Sequence, residues 1–428
     1  MTGPSDTTSM TGPESPAERS PLDASTMSTV VAGSNVVICC GSGGVGKTTT
    51  AALVAMEAAR LGRRSVVVTI DPARRLADAL GLAGLTNDPS PIDGPWSAPD
   101  GSGGSMSALM LDTKGTFDGL VRRYSADPDQ AERILQNGFY SNISGALSGT
   151  QEYMASEKLY ELAVEGDYDL VVVDTPPTRN ALDFLDAPKR LAHFLDHRLY
   201  KVLLSPSKGI GRAVNVATQA VMRQIAKVVG AEVISDALAF FKAFEGMEDG
   251  FKERAQEVDR LLREPATSFL LVASPKADTV AEAGYFADQL AAKDITVRGL
   301  IVNRTQPAFG VPLEDGADAA GDAADAERRG RPSTAPSTAG RIALSAAAVR
   351  ARADTLDGTA LGDHYRCLAD SLHLALGEAE HLAGLAQQVA PAPVVKVPVQ
   401  PFEVSDLASL QALARVVFAD VDAGPTHP

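Results

Sequence analysis

The chain contains 428 residues, 39 basic and 54 acidic, so its formal net charge at pH 7 is −15. Such a charge repels phosphate backbones, which argues against nucleic acid as a partner over a broad surface. The three cysteines form neither a disulfide framework nor a pair of zinc-binding CxxC motifs, so a reducing, cytoplasmic environment is expected. No stretch reaches the roughly 18 consecutive apolar residues of a membrane span, so no stable membrane insertion is expected.

The composition predicts one large domain with low-complexity additions. Residues 1–33 are rich in Ser, Thr and Pro and lack a secretory apolar core, which predicts a disordered N-terminal arm. Residues 34–420 are predicted to form a single domain, interrupted by low-complexity insertions at about 86–105 and 308–340. Residues 421–428 are predicted to be a disordered tail.

Short, nearly continuously apolar runs alternate with helical patterns along this domain. The predicted strands are Val36–Cys39, Ser65–Ile70, Ala108–Asp112, Asp169–Asp174, Phe269–Ser274, Val297–Asn303 and Val394–Val399. The clearest helical patterns are Lys47–Leu61, Thr150–Val164, Thr279–Ala292 and Leu407–Phe418. Runs without polar alternation are typical of strands that are covered on both faces. The pattern therefore predicts an α/β fold with a doubly wound, mostly parallel sheet and a ligand at the carboxyl ends of its strands.

Two blocks, at about 117–150 and 192–262, contain helical patterns without a strand. They predict a helical subdomain added on one side of the sheet. The large apolar residues of the second block have two interpretations, a groove for an apolar helix of a protein client or an ordinary helix-on-sheet core.

A phosphate-loop motif follows the first predicted strand. The sequence GSGGVGKT (41–48) fits G-x-x-x-x-G-K-[ST] between a buried strand and a helix. Its glycines let successive backbone N–H groups point at phosphate oxygens. Lys47 is expected to bridge the β- and γ-phosphates and Thr48 to ligate Mg²⁺. The predicted ligands are thus ATP and Mg²⁺, and the predicted contacts of the loop are Gly41, Ser42, Gly43, Gly44, Val45, Gly46, Lys47, Thr48 and Thr49.

Polar side chains end three of the other predicted strands. Asp174 is a candidate for the Mg²⁺ shell, or it caps the turn that follows. Asp71 is a candidate to activate the attacking water, and it also suits a helix N-cap. Asn303 offers a donor and an acceptor to the adenine edge, or it forms a turn.

These segments occur together, in an order that resembles one family. The carriers are GSGGVGKTTT (41–50), TIDPARRLADALGL (69–82), SGTQEYMASEKLYEL (148–162), VVVDTPPTRNALDFL (171–185), GLIVNR (299–304) and VVKVPVQPFEVSDLASL (394–410). Together they resemble the anion-transporting ATPases, which comprise the arsenical pump-driving ATPase and the ATPase that targets tail-anchored proteins. These are phosphate-loop NTPases with a deviant Walker A motif.

The resemblance implies roles for particular residues. Lys47 and Asp71 are the predicted catalytic residues. The resemblance makes Asp71 the residue that activates the water, places Asp174 at the magnesium ion, and puts Asn303 and Pro398 against the adenine. It also implies a dimer whose closure is driven by ATP hydrolysis and moves the added helices. In the targeting branch these helices hold the membrane helix of a protein client.

The chain departs from the family at several positions. Ser42 stands where the family usually has a lysine that reaches the partner's phosphates. Two expectations remain open: a heterodimer with a paralogous subunit that retains this lysine, or a homodimer with slow turnover. The resemblance places Asp71 in a segment called switch I and makes Asp174 the start of switch II. Arg74 replaces a common His in switch I, and Arg179 and Asn180 replace the Gly-His that often follows D-T-x-P-T in switch II. Any of Arg74, Arg75 and Arg179 would add positive charge near the γ-phosphate, or lie exposed on a helix.

The leading hypothesis is a Mg²⁺-dependent ATPase whose conformational cycle handles a protein client or activates a partner. The alternatives are a partition or positioning ATPase that acts on a membrane or DNA, an arsenite-pump-driving subunit, and a phosphoryl-transfer enzyme with a small acceptor. The last helix carries almost no basic residues. This argues against a partition or positioning ATPase and for docking of the helix on its own domain. No trio of cysteines at matching spacing supports metalloid binding.

Overall fold

The computed structural model describes residues 26–71, 75–96, 103–143, 150–176, 183–196, 231–307 and 338–418. Several predictions lie outside these ranges. They concern residues 1–25, most of the 308–340 insertion, the 421–428 tail, and the three switch residues Arg74, Arg179 and Asn180.

Eight strands form one sheet in the order β3-β4-β2-β5-β1-β6-β7-β8. They are β1 (Val36–Cys40), β2 (Arg64–Thr69), β3 (Ser90–Ile92), β4 (Ser105–Met110), β5 (Leu170–Asp174), β6 (Thr267–Ala273), β7 (Val297–Thr305) and β8 (Val394–Pro398). All neighbours pair in parallel except β3, which is antiparallel to β4. This confirms the predicted mostly parallel α/β sheet, and the predicted strand bounds are shifted by no more than three residues.

The register brings the ends of distant strands together. β1 lies at the centre, between β5 and β6. Cys39 of β1 is level with Asp174 of β5, and Asp174 is level with Thr69 of β2. Because the strands are parallel, the loops that follow β1, β2, β5, β7 and β8 emerge at one edge of the sheet.

The helices cover both faces of this sheet. They are α1 (Met27–Gly33), α2 (Lys47–Arg60), α3 (Arg75–Ala79), α4 (Thr113–Tyr124), α5 (Pro128–Leu135), α6 (Gly138–Ile143), α7 (Thr150–Tyr160), α8 (Asp183–Asp196), α9 (Ala231–Ala243), α10 (Glu248–Leu261), α11 (Ala277–Ala291), α12 (Thr338–Thr355), α13 (Ala360–Val389) and α14 (Leu407–Val417). A π-helical turn, Glu161–Glu165, continues α7.

Alternate residues of β1 belong to the two layers of the core. Val37 and Cys39 pack with α1, α2 and α14, whereas Val36 and Cys40 pack with α7, α10, α11 and α13. Successive side chains of a strand point to opposite faces, so a strand buried on both sides is apolar throughout. The two adjacent cysteines are therefore buried on opposite faces, as predicted, and act as small core residues.

A third apolar cluster joins the helices added beside the sheet. It contains residues of α4, α5, α6, α7, α9 and α10, and its aromatic rings contact one another, Phe240 with Phe244 at 5.6 Å and Phe244 with Phe251 at 5.1 Å between centroids. α4–α6 fall mainly within the 117–150 block, and α9 and α10 within the 192–262 block. In the described part of these blocks, the large apolar side chains mostly cover one another.

Local composition was misleading in two places. Met27–Gly33, expected to be disordered, form α1, because Met27, Val30 and Val31 are buried in the layer beneath α2. The 86–105 insertion, expected to be a loop, contains the edge strand β3, and Trp96 packs on the same layer while its Nε1 donates to the Ile92 carbonyl at 3.0 Å. In both places distant contacts supply the burial that the local pattern lacks.

The described part of the C-terminal third adds an antiparallel pair of helices, α12 and α13, with a small apolar cluster of their own. The C-terminal half of α13 returns to the sheet and packs beside α11 and β7. Within the described ranges, no helix combines the length and the hydropathy that crossing a bilayer requires.

Candidate functional site

The phosphate loop joins β1 to α2 through two close backbone contacts. Gly41 lies against β6, where an added Cβ would be 2.1 Å from the Val272 carbonyl oxygen. Gly46 is the N-cap of α2 with φ 101°, and an added Cβ would be 2.4 Å from Nδ2 of Asn303. The loop therefore needs glycine at both ends, and it leads into a helix of 14 residues whose positive end faces the loop.

Lys47 is buried at the first position of this helix, at 6% relative exposure. Its Nζ donates to the Ser42 carbonyl oxygen at 2.8 Å, so the side chain crosses back over the loop. Burial lowers the pKa of Lys47, and the nearby Asp174 carboxylate opposes this shift. An ammonium group held over a loop of backbone amides is suited to bind a phosphate chain.

Asp174 is the acidic centre of the site. Its Oδ2 accepts hydrogen bonds from Thr48 Oγ1 at 2.7 Å and from Thr69 Oγ1 at 2.9 Å. Its Oδ1 is buried and has no hydrogen-bond partner among the described residues. Burial raises the pKa of Asp174, which the bonds from the two threonines oppose. A carboxylate and a hydroxyl in contact beside a phosphate loop are a fitting pair of oxygen ligands for Mg²⁺.

Asp71 lies two residues beyond β2, on the same side of the sheet. Its side chain is 18% exposed, and Arg75 Nη1 is 3.8 Å from its Oδ2. Its backbone N–H donates to Thr69 Oγ1 at 3.3 Å, and Gln151 Nε2 of α7 donates to the preceding carbonyl, that of Ile70, at 3.1 Å. The loop is thus tied both to the strand that contacts Asp174 and to α7.

Asn303 and Pro398 lie at the ends of β7 and β8, which are paired. Asn303 Nδ2 donates to the Val45 carbonyl oxygen at 2.9 Å, so the side chain contacts the phosphate loop. Pro398 is level with Thr305, whose carbonyl accepts from the backbone N–H of Val399 at 3.0 Å. The structure brings both residues to the edge that carries the loop, and their contact with adenine stays a prediction.

Ser42 is buried at 9% exposure, and its Oγ has no hydrogen-bond partner among the described residues. A serine hydroxyl carries no charge at any ordinary pH. The position that the resemblance assigns to a second lysine therefore contributes no cation to the loop.

The sequence analysis missed three residues of this site. Thr69 bonds both Asp174 and the backbone of Asp71, Gln151 supports the Asp71 loop, and Arg304 Nη1 donates to the Gly44 carbonyl at 3.2 Å. The signal available for Thr69 was its place as a polar residue at the end of an apolar strand. No local pattern distinguished Gln151 or Arg304.

Comparison with known proteins identifies the family of this chain. Residues 34–309 match the family of the anion-transporting ATPases. The ATPase GET3A of Arabidopsis thaliana is 25% identical over 269 residues, 62% of this chain and 65% of that protein. The ATPase ASNA1 homolog of Dictyostelium discoideum is 26% identical over 265 residues, 62% of this chain and 70% of that protein. Protein Rv2184c of Mycobacterium tuberculosis is 33% identical over 161 residues, 36% of this chain and 38% of that protein. The matched region is thus just under two thirds of the Arabidopsis protein and little more than a third of the mycobacterial one.

Proposed function

The chain belongs to the anion-transporting ATPase family, and from this membership and the geometry of the loop we propose that it binds and hydrolyses MgATP. One observation carries the proposal: Thr48 and Asp174 are in contact beside a loop whose lysine is already folded over it. The buried, unpartnered Asp174 Oδ1 supports a cation at this position. A bound Mg²⁺ would neutralise charge on the β- and γ-phosphates.

Each residue of the site then has a distinct role. The amides of residues 43–48 hold the phosphates, and Lys47 exchanges its bond to the Ser42 carbonyl for phosphate oxygens. Thr48 and Asp174 hold the cation. Asp71 is partly exposed and accepts a hydrogen bond from the attacking water, which orients it for in-line displacement.

The test compares two buried lysines. Lys47→Met is expected to abolish MgATP binding in calorimetry and phosphate release in a coupled assay. Lys158→Met is the matched control, because Lys158 of α7 is also buried, at 6% side-chain exposure, and pairs with Glu161 of the π-helical turn that follows. Equal loss in both variants would show a general effect of removing a buried lysine, and unchanged binding in Lys47→Met would overturn the proposal.

The finer proposal is a dimer with a paralogous subunit that supplies the lysine missing at Ser42. Its support is the uncharged, buried Ser42 in a family whose loop usually carries that lysine. Charge clamps of this kind are worth roughly 10³-fold or more in rate. Affinity purification of the full chain is expected to recover the paralogue, and the pair is expected to hydrolyse ATP faster than the chain alone. A homodimer that is fast and is unaffected by Ser42→Lys would contradict this.

Handling of a protein client with an apolar helix is a further proposal. It is supported by family membership and by the apolar composition of 192–262. In the described part of this block Phe240, Phe244 and Phe251 are buried in the third cluster, so the nucleotide cycle would have to expose such surface. Binding of an apolar dye should rise with MgATP. Equal binding with and without nucleotide would favour an ordinary core.

The final helix argues against the membrane- or DNA-acting alternative. Leu410, Leu413 and Val417 of α14 are buried in the layer that contains α2. The apolar face of α14 thus docks on its own domain, as the sequence indicated. Co-sedimentation with anionic liposomes or with DNA should show no binding.

A further inference from the structure

Arg304 has a backbone conformation that side chains rarely adopt. It follows Asn303 near the end of β7 with φ 62°, and among the described residues only Asp294, with φ 59°, is another non-glycine with positive φ. The pairing of β7 with β8 shifts between Asn303 and Thr305, so Arg304 is the extra residue of a bulge. A bulky residue keeps this conformation only where its surroundings maintain it, and such sites are often functional.

The contacts of Arg304 continue those of its neighbour. Arg304 Nη1 donates to the Gly44 carbonyl at 3.2 Å, and Asn303 Nδ2 donates to the Val45 carbonyl at 2.9 Å. Two consecutive residues of β7 thus hold two consecutive carbonyls of the phosphate loop. In a trans peptide the C=O and the following N–H point in opposite directions. Bonds to these two carbonyls therefore turn the N–H groups of Val45 and Gly46 to the other side of the loop.

The same bonds change the strength of those amides. A hydrogen bond to a carbonyl polarises the peptide group, which makes its N–H a stronger donor. A guanidinium group is charged at any ordinary pH, so Arg304 also places a permanent positive charge beside the loop. Its side chain is exposed, unlike that of Lys47, so it holds the loop from the solvent side.

We propose that Arg304 is a positioning residue of the phosphate loop, which aims and polarises the amide of Val45 toward the phosphates of a bound nucleotide. In this role it supplies, within the chain and from the outer side of the loop, part of the positive potential that Ser42 lacks. The inference rests on the proposed function, because that function identifies the anion as a nucleoside di- or triphosphate.

The experiment separates the side chain from the strained backbone. Arg304→Gly removes the side chain and the strain that a side chain causes at positive φ, whereas Arg304→Lys keeps the charge. Asp294→Gly is the control, because it removes the same kind of strain at a turn between α11 and β7. The affinities of fluorescent mant-ATP and mant-ADP are measured with Mg²⁺, together with hydrogen exchange of the loop amides without nucleotide.

Arg304→Gly is expected to lower the affinity for both nucleotides roughly tenfold, because one charged hydrogen bond is lost. Exchange at Val45 should differ from that of the native chain, because the bond that fixes and polarises its peptide group is gone. Arg304→Lys should recover most of the affinity, and Asp294→Gly should match the native chain in both measurements. Thermal unfolding of Arg304→Gly is expected at or above the native temperature, since glycine accepts this φ without strain.

Two results would overturn the inference while leaving the proposed function intact. One is native affinity and native exchange in Arg304→Gly when Lys47→Met no longer binds, which would make Arg304 a residue of the bulge alone. The other is a loss confined to mant-ATP, which would indicate direct contact with the γ-phosphate. If the native chain bound neither nucleotide, the proposed function and this inference would fail together.

Discussion

The substitution Gly46→Ala tests whether Asn303 and the phosphate loop share one close contact. Gly46 has φ 101° and is the N-cap of α2. An added Cβ would lie 2.4 Å from Asn303 Nδ2, well inside van der Waals contact. This amide is held at the Val45 carbonyl at 2.9 Å, so it cannot move aside without losing that bond.

Two contributions set the size of the effect. An alanine at positive φ costs roughly 1–2 kcal/mol relative to glycine. Displacing Asn303 forfeits a hydrogen bond worth about 0.5–1.5 kcal/mol. Gly46→Ala should therefore lower the free energy of unfolding by roughly 1.5–3.5 kcal/mol. Because the displaced backbone carries the amides that we propose bind the phosphates, affinity for MgATP should also fall, on the order of tenfold for each 1.4 kcal/mol needed to restore the loop.

Urea denaturation of matched variants separates the two contributions. Gly81 has φ 70° and open space around an added Cβ, so Gly81→Ala should show the backbone contribution alone, with unchanged nucleotide affinity. The double variant Gly46→Ala/Asn303→Ala should be less destabilised than the sum of its single variants, since the clash is removed. If Gly46→Ala were no more destabilised than Gly81→Ala, or if the double variant were strictly additive, the shared contact would be refuted.

Two further predictions concern buried groups. Arg254→Met should lower the free energy of unfolding at pH 7 by about 3–5 kcal/mol, because it leaves the Glu157 carboxylate buried without its partner at 2.6 Å. Burial raises the pKa of Glu157 in the folded protein and Arg254 opposes that rise, so the folded variant binds this proton more tightly than the folded native chain does. The deficit relative to the native chain should therefore shrink as pH falls from 7 towards 5, and a constant deficit would contradict the reasoning. In thiol labelling of the folded protein, the exposed Cys367 should react while the buried Cys39 and Cys40 stay unlabelled until unfolding, since burial raises the pKa of Cys40 to about 12. Labelling of all three thiols before unfolding would show that the first strand is accessible.

The main part of the fold was predictable because its sheet is buried on both faces. Runs such as VVICC and LVVVD carry no polar alternation, and both became central strands. The position of Asp174 beside Thr48 followed from the same reasoning, since parallel strands deliver their carboxyl ends to one edge. The match to the family confirms the predicted resemblance, whereas the roles of the individual residues remain predictions.

Features that depend on distant contacts were not predictable from local sequence. The segment Met27–Gly33 follows residues whose composition is typical of disorder. Its apolar side chains nevertheless fill a space beside β7, where Met27 lies against Gly299. The conformation of Arg304 is another example. The sequence GLIVNR does not indicate a bulge at Arg304, because the bulge follows from how β7 pairs with β8.

The structure adds a contact with the phosphate loop to the adenine contact predicted for Asn303. As an amide it has two N–H donors and one acceptor oxygen, and its bond to the Val45 carbonyl uses a single N–H. The second N–H and Oδ1 form the donor and acceptor pair that an adenine edge requires. The predicted adenine contact is therefore compatible with the loop contact that the structure shows. A side chain that served both would couple recognition of the base to the position of the phosphate-binding amides, so that binding of the nucleotide at one end would stabilise the loop at the other.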